Sequence, residues 1–139
     1  MRIGILGLVA ALLPAAALGQ PLAGANPFDG DWTATVSCPD SSGALGYAFS
    51  VPTRITGGVL HGERLRTGEA GRFELDGPVQ PDGQARLYAK GSVGASQFAV
   101  GQRPKGTDYG YHVTARFQGA HGTGQRVEGR HCDLDFVRR

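Results

Sequence analysis

Four histidines, two cysteines, twelve acidic residues and an arginine-rich basic set are the groups of this chain able to do chemistry. A histidine metal site needs ligand pairs at spacings such as H-x-x-x-H, H-E-x-x-H or C-x-x-C, which bring two donors to one side of a local element. His61, His112, His121 and His131 show none of these spacings, so they read as scattered surface groups and no metal or other cofactor is implied. With a nearby carboxylate, His61, His121 or His131 could act as a general base, but only where both groups meet in a cleft. Asp133 and Asp135 alternate outward on a terminal strand pattern; calcium would require several further oxygen ligands. Gly119 to Gly124 (GAHGTG) lacks the lysine and hydroxyl residue of a phosphate loop, and no helix pattern follows it. No G-x-S-x-G elbow is present.

The basic residues are more informative. Twelve of the fourteen are arginine, the side chain whose planar fork matches carboxylate and phosphate. Arg116, Arg126, Arg130, Arg138 and Arg139 fall in the last quarter. From Gln20 to Gly83 there are 4 basic and 8 acidic residues, and from Gln84 onward 9 basic and 4 acidic. Solvated strand faces are the simpler reading of this asymmetry. The overall charge of +2 gives no strong field for nucleic acid or for a membrane surface.

Most of the pattern that must position these groups is β. Trp32, Ala34, Val36 and Cys38 alternate with Thr33, Thr35 and Ser37, the period of two of a half-buried strand. Tyr47, Phe49 and Val51 form the next face, and Gly57-Gly58 marks a hairpin. Phe73 and Leu75 precede a Pro81-Asp82-Gly83 turn, after which Ala85, Leu87 and Ala89 alternate. A strand is expected around Phe98 and Val100. Tyr109, Tyr111, Val113, Ala115 and Phe117 face in along the longest strand, and Cys132, Leu134 and Phe136 along the last. There are 23 glycines in 139 residues, and many fall between these runs. About eight short strands with no convincing helix predict an all-β antiparallel meander, a small closed or nearly closed barrel.

Residues 1–19 combine Arg2, an apolar stretch from Ile3 to Leu13 and an Ala17-Leu18-Gly19 cleavage-like site, the pattern of a secretory signal peptide. Residues 20–27 then form a flexible leader, and 28–139 a single barrel domain. The expected location is the periplasm or the extracellular medium. The first cysteine is Cys38, so no lipid attachment follows the cut. In an oxidising compartment Cys38 and Cys132 are expected to pair. Both lie on inward parity, which would join first and last strands; free buried thiols are the alternative.

Phe28-Asp29-Gly30-Asp31-Trp32 places a G-x-W at the opening of the first strand. It resembles the start of calycin-type barrels such as lipocalins and avidins. That resemblance implies a tryptophan closing the barrel floor, with Arg138 or Arg139 packed against it. Over most of residues 20–139 the chain is similar to small exported proteins of proteobacteria that carry no assigned activity. The shared features are the tryptophan strand ending in Cys38, the GG-x-L-x-G step at Gly57 to Gly62, Asp82-Gly83, Gly122 to Arg126 and the C-x-L-x-F ending at Cys132. Bacterial metalloprotease inhibitors also have eight-stranded barrels with one disulfide, but their bridge is local in sequence.

The expectation for function is a non-enzymatic binding module for a small ligand or an exported protein partner, acting as a monomer. An inhibitor working through an end loop, 91–106 or 20–27, is the alternative, and a small hydrolase comes third. Inward aromatics either fill a small barrel or line a cavity, and filling is the commoner outcome. The residues singled out as facing a ligand are Trp32, Tyr47, Tyr109, Tyr111, Arg116 and Arg126.

Overall fold

Alternation along each strand sorts the side chains into a wall and a core. In the computed structural model, which describes residues 26–64 and 71–139, the strands are β1 (Gly30–Cys38), β2 (Tyr47–Thr56), β3 (Val59–Arg64), β4 (Phe73–Pro78), β5 (Gln84–Ser92), β6 (Asp108–Gln118), β7 (His121–Arg126) and β8 (Asp133–Arg138). Each pairs antiparallel with its sequence neighbour, and β8 pairs with β1, so the sheet closes into a barrel in meander order. Ala34 illustrates the closure: it lies opposite Val51 on one side and Phe136 on the other. Closure removes the unpaired edges that an open sheet would present.

Consecutive connections of a meander fall at opposite ends of the barrel. Here the tight ones, 57–58, 79–83 and 119–120, share one end, and the longer ones, 39–46, 93–107 and 127–132, share the other, where β3 ends and β4 begins. Glycine permits the tight end. Gly83 has φ +94°, and a β-carbon there would lie 2.0 Å from the Phe117 carbonyl oxygen. The structure corrects one expected element: the segment around Phe98 and Val100 forms two short 3-10 turns, Ser96–Phe98 and Val100–Gln102, in place of a strand. It lacks a continuous period of two, and Gly101 adopts φ +75°.

The tight end is plugged. Trp32 is fully buried, and its indole N–H donates to the Phe28 carbonyl at 2.8 Å. Phe117 meets the indole edge-on at 5.1 Å, and Phe28 lies 5.8 Å from Phe117. The Arg138 guanidinium sits 4.9 Å over the indole and donates to the Pro27 carbonyl. Asn26 donates to the Val79 carbonyl, and Asp29 accepts from the amides of Gly57 and Gly58. The last two residues of the expected leader are thus fastened to the floor; the rest of it, and the whole signal-peptide segment, lie outside the described residues.

Several glycines sit inside strands on the inner wall, where they are packing partners and not turns. A β-carbon at Gly62 would lie 2.3 Å from Thr53 Cγ2, and one at Gly122 would lie 2.9 Å from the Phe117 ring. Their missing side chains leave room for the bulky residues opposite. At the other end of the seam, the Cys38–Cys132 disulfide joins β1 to the residue preceding β8, with Cα atoms 4.2 Å apart. The disulfide is compatible with an oxidising, exported location.

Candidate functional site

The end bearing the long connections opens into a cleft of about 420 Å³, within the ~300–1,000 Å³ usual for small-ligand sites. The strands present their inward residues to it at their mouth-side ends. These are Tyr47 and Phe49 from β2, Arg64 from β3, Phe73 from β4, Tyr109 from β6 and Arg126 from β7. The 93–107 connection adds Val93, Phe98, Val100 and Arg103, and the 127–132 connection adds Arg130.

The rings form two contact groups. Tyr47 stacks on Phe49 at 6.0 Å, Phe49 meets Phe73 edge-on at 5.0 Å, and Phe98 meets Tyr47 edge-on at 6.1 Å. Tyr109 stacks on Tyr111 at 6.1 Å. Three guanidinium groups lie over these rings. Arg64 is 5.0 Å from the Phe49 centroid, Arg130 is 5.1 Å from that of Tyr47, and Arg126 is 4.1 Å from that of Tyr111. Such contacts are worth about 0.5–2 kcal/mol each, more where water is excluded.

Arg130 is the best-built member. It is only 8% exposed and donates to the carbonyls of Phe98 (2.7 Å), Pro39 (2.7 Å) and Leu45 (2.8 Å). One guanidinium thereby ties together three of the connections around the mouth. Its Nε has no hydrogen-bond partner. Arg126 Nε donates to the Glu128 carbonyl at 2.6 Å. Burial raises the Tyr47, Tyr109 and Tyr111 hydroxyls above the ordinary tyrosine value, with nearby arginines opposing the effect only in part. All three phenols therefore stay protonated through neutral and mildly alkaline pH.

Tyr47, Tyr109 and Arg126 come together in the cleft; alternation had placed the two tyrosines inward. Trp32 and Tyr111 do not line it: Trp32 fills the floor, and Tyr111 is buried beneath Arg126. Arg116 is a correction. It is exposed on the outer wall, because it alternates with the inward Ala115 and Phe117. It borders a shallow outer depression together with Thr123, Asp133 and Asp135. Sequence reasoning missed the roles of Phe73, Phe98, Arg64, Arg72, Arg103 and Arg130. A signal for two arginines was nonetheless present. In Gly62-x-Arg64, as in Gly124-x-Arg126, the arginine shares parity with an inner-wall glycine and ends its strand. There the stem stays inside while the head reaches the mouth.

Each histidine meets a carboxylate, but on the outer wall. The pairs are His61 with Asp76, His112 with Glu128, His121 with Asp135 and His131 with Asp133. None of these residues lines the mouth cleft. The hydrogen bond to Asp76 raises the His61 pKa, and bonds from the His112 amide and ring lower that of Glu128. Among the described residues, no group of three or more His, Cys, Asp or Glu could hold a metal ion.

Comparison of the chain with protein-family models, curated proteins and solved structures gives no match.

Proposed function

We propose that this protein is an exported binding module that holds a small ligand in the mouth of its barrel and carries out no chemistry on it. The observation supporting this reading is the aromatic-walled cleft of about 420 Å³ at the end bearing the long connections, opposite a floor filled by Trp32, Phe28 and Phe117. A filled barrel would bury every inward ring, whereas Tyr47, Phe49 and Tyr109 remain only partly buried. The calycin-type barrels that its G-x-W opening resembles fit the same use of a closed floor and an open mouth. The inhibitor reading would employ the 93–107 connection, whose residues from Val100 to Gly106 are exposed beside the cleft.

The test is native mass spectrometry of the chain secreted through its own leader and purified without denaturation. The reading expects a one-to-one small-molecule adduct, lost when Ala95→Trp fills the cleft. Adduct-free protein that also fails to take up any compound from a cell extract would refute it.

A further inference from the structure

Among the described residues, the cleft lining carries five arginines, Arg64, Arg72, Arg103, Arg126 and Arg130, and neither Asp nor Glu. Water-excluded positive charge is costly unless a counter-charge or a complete set of acceptors compensates it. Around Arg130 the compensation consists of three carbonyls and one ring face, and its buried Nε is unpartnered. Beside Tyr47, Tyr109 and Ser92 the remaining lining is apolar, with Phe49 and Phe98 as partly buried rings and Phe73 buried edge-on to Phe49. Positive charge concentrated at one place beside an aromatic wall is complementary to a molecule with the opposite charge at one end and an apolar body.

We infer that the mouth cleft binds an amphipathic organic anion, its acidic head among Arg126, Arg130 and the tyrosine hydroxyls and its apolar body against Phe49, Phe73 and Phe98. The inference rests on the reading of the cleft as a ligand site. Arginine supplies forked donors for a carboxylate, phosphate or sulfonate oxygen pair. The phenols of Tyr47 and Tyr109 stay protonated, because burial opposes their ionisation, so they donate to an anion and do not repel it. Arg72 and Arg103 are exposed at the rim, where they attract an approaching anion over about a Debye length. Three carbonyls and the Tyr47 ring hold Arg130, with no carboxylate among its described partners, so an anionic head group adds counter-charge without first breaking an ion pair.

The experiment compares two fluorescent probes that share one aromatic body, anilinonaphthalene sulfonate and neutral N-phenylnaphthylamine, on the folded secreted protein. The sulfonate is expected to bind one-to-one and at least about tenfold more tightly, since charge-assisted hydrogen bonds are the stronger ones. The preference should shrink as salt rises from about 0.01 M to about 1 M. Arg126→Met should weaken the sulfonate about tenfold and leave the neutral probe unchanged. Exposed Arg103→Met should do the same to a smaller degree, which covers the case in which the Arg126 variant fails to fold. Arg116→Met, the same charge change on the outer wall, should have no effect. Displacement of the sulfonate by laurate or by dodecyl phosphate identifies the preferred head group, and displacement by neither counts against the inference. Equal binding of the two probes, or a sulfonate preference that survives both cleft variants, overturns the anion assignment and leaves the binding module standing. Failure of both probes to bind overturns the binding-module reading itself.

Discussion

Arg130→Met is the substitution whose outcome depends most on the physics of the mouth. The wild-type guanidinium is 8% exposed and makes three hydrogen bonds to carbonyls that belong to two different connections, with Pro39 and Leu45 in one and Phe98 in the other. Methionine keeps a similar length and removes every donor. Hydrogen bonds to a charged group contribute about 1.5–3 kcal/mol each, so roughly 4–9 kcal/mol is the ceiling for the loss. Two effects reduce it. Substitution releases a desolvation penalty of several kcal/mol for the buried charge. Water also reaches the freed carbonyls, since Pro39 and Leu45 are exposed. We expect a net destabilisation of about 2–3 kcal/mol, read from urea unfolding by linear extrapolation. For a domain of this size that corresponds to a fall in Tm of roughly 10–20 °C. Arg130→Lys should fall between the two, because one ammonium cannot satisfy three carbonyls spread over a planar fork. A methionine variant as stable as the wild type, or more stable, would show that the carbonyl cage does not compensate the charge, and the argument that Arg130 holds the mouth together would fail.

Other expectations follow from the floor, the seam and the tyrosines. Replacing Cys38 and Cys132 by alanine opens a loop with sequence separation 94 and should cost about 4–5 kcal/mol in the chain-entropy model; an unchanged urea midpoint would contradict this. The barrel should still close, because β1 and β8 remain paired from Trp32 to Ser37. Trp32→Ala should destabilise by about 3–5 kcal/mol, as for other buried tryptophans, and Trp32→Phe by less, since it loses the bond to Phe28 but keeps a ring beneath Arg138. In an alkaline titration followed by ultraviolet absorbance, Tyr47, Tyr109 and Tyr111 should ionise above the ordinary value near 10. The folded state then holds protons that the unfolded chain releases, so the tyrosines' contribution to stability should be constant below about pH 10 and fall above it; stability that rises above about pH 10 would refute the assigned burial.

Alternation along Trp32, Ala34, Val36 and Cys38 and along Cys132, Leu134 and Phe136 placed both cysteines inward, because side-chain period in a strand is set by backbone geometry, and the pairing expected in an oxidising compartment joined the first strand to the last. The same rule assigned Tyr47 and Tyr109 to the interior, whereas Arg126 was singled out for its guanidinium chemistry and not for its parity. What alternation could not convey was depth. Parity places Trp32 and Tyr47 on the same inner surface, yet one seals the floor and the other lines the mouth. That difference depends on strand stagger and on which connections are short. Arg64, Arg72 and Arg103 were hidden for a related reason. Charge counted along the chain separated an acidic first half from a basic second half, whereas the meander sorts residues by barrel end. The mouth therefore gathers Arg64 and Arg72 from one half with Arg103, Arg126 and Arg130 from the other. A strand was expected around Phe98 and Val100 because the two share parity, whereas Gly101, directly after Val100, adopts φ +75° and breaks the extended run.

The central claim is that the mouth, and not the outer wall, is the binding surface. The most direct measurement is a two-dimensional amide NMR titration of the folded, disulfide-bonded protein with anilinonaphthalene sulfonate. Saturable shifts should concentrate at Tyr47, Phe49, Tyr109, Arg126 and Arg130, with the floor residues Trp32 and Phe117 unmoved. Shifts centred on Arg116, Thr123 and Asp135 of the outer wall, or no saturable shift at all, would contradict it.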